Sequence, residues 1–256
     1  MTNIINKKIN LMKKLILPGL MALLMFSCNQ GEKKEVVNND SAVSKTKSDS
    51  LAAQPITETK VTPELLWKFG RIGETQLSPD GKTIALTITR YSISENKSYT
   101  DIYTLPSEGG ELKRITGFSG PESNVRWMPD GKSLLFLAME SESSQIWKMN
   151  PDGSNAVLFS EITGDINSFE ISPDGKNILY CKDVKIDDTP QDIHPDLPLA
   201  NVHMTERLMY RHWNAWSDDK YSHIFFSEIG NEKIKDGKDI MDKEPFDAPL
   251  SPYFDG

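Results

Sequence analysis

The sequence predicts an all-β fold, an incomplete β-propeller of about three and a half four-stranded blades, and three observations carry that prediction. One turn motif occurs three times, as Ser78-Pro-Asp-Gly-Lys82, Met128-Pro-Asp-Gly-Lys132 and Ser172-Pro-Asp-Gly-Lys176. Pro79 stands 50 residues before Pro129, which stands 44 before Pro173, and self-similarity at such a period marks repeat architectures. Alternating apolar residues flank each turn, and a second hairpin follows in register in two of the repeats. An ordinary antiparallel meander or sandwich is the other reading of these strands. The recurrence of both hairpins favours the propeller.

The chain opens on a targeting pattern that stands outside fold reasoning. Lys7, Lys8, Lys13 and Lys14 precede an apolar stretch over residues 15–26, which is short for a transmembrane helix. Ser27-Cys28-Asn29 follows. Residues 1–27 resemble a bacterial lipoprotein signal, cleaved before a Cys28 that is then lipidated. A plain secretory signal with an incidental cysteine is the other reading. Residues 28–60 are rich in Ser, Lys, Asn, Thr and acids, so they are expected to form a disordered tether. The formal net charge of −8 would fall to −12 once the four lysines of the signal were removed, which argues against a nucleic-acid partner. With Cys28 acylated, Cys181 is alone at the end of an expected strand and reads as a buried thiol.

Order should begin at Thr62-Pro63-Glu64, an N-cap, an N1 proline and a first-turn acid. Leu65, Leu66, Trp67 and Phe69 give this short helix an apolar side that can pack on the first blade. In each repeat Pro presets φ, Asp bonds the backbone just ahead, and Gly accepts the positive φ that turns the chain back. Leu77, Trp127 and Ile171 occupy one station before the turns; Ile84, Leu134 and Ile178 open the strands after them. The second hairpin pairs Asp101-Ile-Tyr-Thr-Leu105 with residues 112–116, and Gln145-Ile-Trp-Lys-Met149 with residues 156–160.

The third repeat breaks step. Its second hairpin is due near residue 190, but the matching His223-Ile-Phe-Phe-Ser227 comes about 34 residues late, leaving an insertion at about 182–222. His194, His203, His212 and His223 all lie in it or at its edge, at spacings that match no usual metal-ligand pattern, so no metal or cofactor is assigned. Arg211, Trp213 and Trp216 form a cluster with two readings. One is a rim that contacts a peptide or a neighbouring domain. The other is packing that holds the insertion on the propeller.

The helix start at residues 62–66, the repeated turn, and Leu208-Met-Tyr-Arg-His-Trp-Asn-Ala-Trp216 leading to Ser222-His-Ile-Phe225 together resemble the N-terminal propeller of S9 serine peptidases. These form the prolyl oligopeptidase superfamily, and the bacterial dipeptidyl and acylaminoacyl peptidases are the most similar branch. The resemblance spans residues 61–256. The turn by itself is shared with TolB-type propellers; the Arg-His-Trp-x-x-Trp segment is more specific. The resemblance implies a propeller that filters peptide substrates for a C-terminal α/β-hydrolase domain bearing Ser, Asp and His. It also implies propeller groups that hold a substrate's free N-terminus, for which the acid Glu206 is the candidate because a carboxylate pairs with an ammonium; Arg211, His212, Trp213 and Trp216 are the other candidate substrate contacts. No Gly-x-Ser-x-Gly elbow stands in this sequence; Gly117-Phe-Ser-Gly-Pro121 ends on the wrong residue. The expectation is therefore a fragment without catalytic residues, inactive as a peptidase by itself, from a protein lipid-anchored in a bacterial cell envelope. Residues 251–256 read as the lead-in to another blade. The rival reading is a non-enzymatic TolB-like propeller lipoprotein that binds envelope proteins.

Overall fold

The described residues form sixteen strands and three short helices around the repeated turn, and most of the strands fall into three four-stranded antiparallel sheets. The structure, a computed structural model, describes residues 47–52, 54–139, 143–204, 211–212, 215–216, 219–230 and 233–249. The signal segment, Cys28, most of the expected tether, Glu206, Trp213 and residues 250–256 lie outside the described residues.

The turn explains itself locally. At the first copy the Ser78 hydroxyl donates to the Asp80 carboxylate at 2.6 Å, and the Lys82 amide donates to the same oxygen at 3.1 Å. The Thr83 amide donates to the Ser78 hydroxyl at 2.9 Å, closing the hairpin. Ser172, Asp174 and Lys176 repeat the arrangement, and these bonds hold both aspartates below the usual carboxylate range. Gly81, Gly131 and Gly175 have φ of 73°, 69° and 71°, which glycine reaches without penalty. The turns also nest. A Cβ placed on Gly131 would stand 3.9 Å from Cδ of Pro79, and one on Gly175 3.3 Å from Cδ of Pro129.

From each turn the strands follow in order. The first sheet is β1 (Arg71–Leu77), β2 (Thr83–Ser92), β3 (Lys97–Pro106) and β4 (Lys113–Arg114). The second is β5 (Glu122–Trp127), β6 (Leu134–Ala138), β7 (Gln145–Met149) and β8 (Val157–Leu158). β9 (Ser160–Glu161) follows. The third sheet is β10 (Ser168–Ile171), β11 (Asn177–Lys185), β14 (Lys220–Glu228) and β16 (Lys238–Asp239). β12 (Arg211–His212) and β13 (Ala215–Trp216) form a small hairpin inside the insertion. β15 (Ile234–Lys235) pairs in parallel with β9, tying the outer part of the third repeat to the second.

The sheets stack face to face through two cores. Ala85, Ile102 and Ile115 of the first repeat meet Val125, Leu134, Phe136 and Met149 of the second. Leu135, Leu137 and Ile146 on the opposite face of the second sheet meet Phe169, Ile178, Tyr180 and Phe225 of the third. Period-two alternation thus gives the middle sheet two buried faces, and β6 is buried along its whole length. The first strands β1, β5 and β10 lie side by side, which places them on the axis side of the stack. Mostly-β architecture in four-stranded blades agrees with the sequence expectation. Cys181 is a free, buried thiol, as expected.

Two helices precede β1. α1 (Lys47–Ala52) lies within residues 28–60, where a tether is expected, and no sequence signal announced it. α2 (Pro63–Lys68) has the expected cap: the Leu65 amide donates to the Thr62 hydroxyl at 3.2 Å. Leu65 is buried against β2, while Leu66, Trp67 and Phe69 are partly exposed. α3 (Pro190–Ile193) sits in the insertion.

Candidate functional site

Two places in the fold present polar and aromatic groups where a substrate or partner could meet them: the insertion of the third repeat and the axis-side strands.

The insertion leaves the sheet between Lys185, where β11 ends, and Lys220, where β14 begins. Its base is closed by the amides of Ile186 and Asp187, which donate to the Asp219 carbonyl at 2.8 and 3.1 Å. The Tyr221 hydroxyl donates to Asp187 at 2.7 Å. α3 starts with a reciprocal capping box between Thr189 and Asp192. The Lys185 ammonium beside Asp192, with the Thr189 bonds, holds that carboxyl far below its usual range. Beyond α3 the chain exposes Leu197, Leu199, Val202 and Met204. In the small hairpin Arg211 pairs with Trp216 and His212 with Ala215. The Trp216 ring stacks on His203, with centroids 4.2 Å apart and planes 14° apart, and Trp216 remains 40% exposed. The hairpin therefore brings Arg211, His212 and Trp216 into one strand pair. Glu206 and Trp213 lie outside the described residues.

The histidines divide by role. His223 is fully buried; its Nδ1 stands 2.8 Å from Asp239 and its Nε2 2.9 Å from the Glu244 carbonyl, so it pins β16 and the turn after it to β14. The equivalent positions in the other repeats are Asp101 and Gln145. Gln145 accepts from the Ser160 hydroxyl at 2.7 Å and the Ile162 amide at 3.2 Å. In the first repeat the corresponding loop is held by Glu122 instead: its carboxyl accepts from the Ile102 amide at 3.0 Å, the Phe118 amide at 2.9 Å and the Thr116 hydroxyl. Burial pushes the Glu122 carboxyl up to about 8, against the opposing pull of those bonds.

On the axis side, Arg126 of β5 lies between two carboxylates from neighbouring strands. It donates to Glu170 of β10 at 2.8 Å through Nε and to Glu74 of β1 at 3.4 Å through Nη1. The Glu74 and Glu170 side chains are 45% and 65% exposed, so this wall of the stack is a solvated acid–base–acid ladder. Sequence reasoning missed it. The available signal was the charged Arg126 and Glu170 at one station, one residue before Trp127 and Ile171; Glu74 stands three residues before Leu77 and so falls out of that register.

Comparison with known proteins gives this geometry its relatives. A family model described as TolB beta propeller domain matches residues 58–234. Dipeptidyl-peptidase 5 of Porphyromonas gingivalis is 38% identical over 197 residues, which cover 77% of this chain and 29% of that protein. Dipeptidyl-peptidase 5 of Porphyromonas endodontalis is 32% identical over 209 residues, 81% of this chain and 30% of that protein. The chain spans less than a third of the length of these curated relatives. Acylaminoacyl peptidase of Pyrococcus horikoshii superposes with a TM-score of 0.50 at 19% identity, covering 66% of this chain and 25% of that chain, a likeness of fold. The identity to dipeptidyl-peptidase 5 makes the chain its homologue and agrees with the S9 propeller resemblance.

Proposed function

We propose that this chain, which belongs to the TolB beta propeller domain family, serves as the substrate-gating propeller portion of a lipid-anchored serine exopeptidase. The exopeptidase would be of the dipeptidyl or acylaminoacyl kind and act on short peptides. The observation that carries the reading is the 38% identity to a dipeptidyl-peptidase across 77% of the chain. In this reading catalysis belongs to an α/β-hydrolase domain, and the propeller decides which peptides reach it. The Glu74–Arg126–Glu170 ladder lines the path with a surplus of negative charge, which favours peptides that carry a free ammonium. Arg211, His212 and Trp216, with Glu206 and Trp213 beside them in sequence, form the rim that holds the peptide end. Lipidation of Cys28 would tether the enzyme to the bacterial envelope through residues 28–60.

Reading the source locus onward from codon 256 tests the proposal. The expected result is an open frame that reaches a Gly-x-Ser-x-Gly elbow, then an Asp and a His. A stop codon with no hydrolase behind it overturns the reading. A second reading, a TolB-like lipoprotein that binds envelope proteins, is favoured by the description of the matching family itself. It predicts stable capture of an envelope protein by the full chain, with no hydrolase domain at the locus.

A further inference from the structure

A cavity of about 440 Å³ lies on the seam between the second and third repeats, away from the insertion and the axis-side ladder. Its size falls in the range of small-molecule sites. Met149, Val157, Leu158 and Phe159 give it an apolar lining, and Lys148 and Lys233 bring two ammonium groups to it. Both repeats are needed to build it. Lys148 of β7 stands opposite Leu135 of β6 and Val157 of β8, on the face of the second sheet that meets the third. Lys233 comes from the third repeat: the next residue, Ile234, donates its amide to the Phe159 carbonyl at 2.8 Å, where β15 runs beside β9.

The two lysines differ in what balances them. Lys233 pairs with Glu161 at 2.7 Å, and both side chains are solvated. Lys148 is half-buried, and its ammonium stands 4.9 Å from the centroid of the Phe159 ring. Among the described residues no carboxylate pairs with it. The ring face attracts a cation but leaves its three N–H donors to be satisfied elsewhere. Counted from Asp101, Gln145 and His223, the equivalent positions in the other repeats are Thr104 and Phe226, so the sheet itself requires no charge there. One uncompensated positive charge beside an apolar wall suits a monovalent carboxylate on an apolar body better than a phosphate dianion.

We propose that this seam cavity is a binding site for a small organic carboxylate, with Lys148 as the partner of its head group. A free acid and the C-terminal residue of a peptide share that chemistry. The inference needs only the second and third repeats and stands apart from the peptidase reading. Amide chemical-shift titration of the full chain tests it, with N-acetyl-L-leucine as the probe and N-acetyl-L-leucinamide as its uncharged counterpart. The acid should give saturable, one-site shifts at Met149, Val157 and Leu158, and the amide should bind about tenfold more weakly or worse. Lys148→Met keeps the apolar stem, removes the charge and should lose the same factor. Lys97→Met, exposed where β3 begins, should change nothing. Hexanoate separates the two sources: affinity equal to that of N-acetyl-L-leucine supports free acids as the ligand, and weaker affinity supports a peptide C-terminus. Equal binding of acid and amide by the wild type overturns the proposal. So do an absence of saturable shifts, shifts centred elsewhere, and an unchanged affinity in a folded Lys148→Met variant.

Discussion

Replacing Glu122 with Gln should remove a specific pH dependence from the stability of this chain. Glu122 is fully buried, and three donors point at its carboxyl: the amides of Ile102 and Phe118 and the hydroxyl of Thr116. Those donors favour the charged form, but desolvation outweighs them, and the nearby Asp101 charge adds to it, so the group rises to about 8 from an ordinary value of 4.5. The folded state therefore binds this proton more tightly than the unfolded chain does. The stabilisation is complete below about 4.5 and is lost as pH rises toward 8, and the shift sets its size at roughly 5 kcal/mol at most. The amide of Gln cannot ionise; its oxygen can keep accepting from the Phe118 amide, and its NH2 can donate to Thr116 once that hydroxyl turns to accept. Urea unfolding of both proteins at intervals from pH 4.5 to 8.5 reads the difference. The wild type should lose several kcal/mol more than the variant across that window. Asp101 is also raised by burial and tilts both curves the same way, so the difference between the proteins reads Glu122 together with its coupling to Asp101. Parallel curves for the two proteins would refute the reasoning.

Three substitutions test other parts of the structure. Gly153 has φ of 89°, and a Cβ there would stand 2.2 Å from the Ile115 carbonyl oxygen; Gly153→Ala should cost about 3 kcal/mol in denaturant unfolding, through strain and displacement of the neighbouring repeat. Asn124, buried and at φ of 51°, joins two sheets by donating to the Phe169 carbonyl at 2.9 Å and accepting from its amide at 3.0 Å. Asn124→Ala should therefore lose about 2–4 kcal/mol, with faster amide exchange at Phe169 as the local signature. Arg126→Ala should change stability by less than about 1 kcal/mol because its acid partners are solvated, while thermal melts should show that small difference vanish at molar salt.

What could be read from the sequence was what the chain determines locally. The Ser-Pro-Asp-Gly-Lys turn carries its own hydrogen bonds, so three copies announced three hairpins, and the strands around them followed from alternation. The Thr62 cap was legible for the same reason. What escaped depends on groups brought from afar. Asp101, Gln145 and His223 hold one station in three repeats, yet they share neither charge nor shape, and each finds a different partner. α1 is six residues rich in Ser and charge, and its order comes from β2, β3 and Arg114 rather than from its own pattern. In the candidate site the insertion was visible as a broken period, and Arg211, His212 and Trp216 are brought together there. The stacking of Trp216 on His203 was not visible, since the two are separated by a stretch with no periodicity.

The nesting of Gly131 on Pro79 and of Gly175 on Pro129 makes each turn a spacer for its neighbour. One residue added to any of these turns would lift the next one off its seat. Length is therefore constrained at that end of the stack. The loops between second and third strands leave from the opposite end, and there the third repeat accommodates residues 186–219 without altering the pairing of β11 with β14. Variation in this architecture is thus directional: residues can be inserted at the loop end while the spacing between blades stays unchanged.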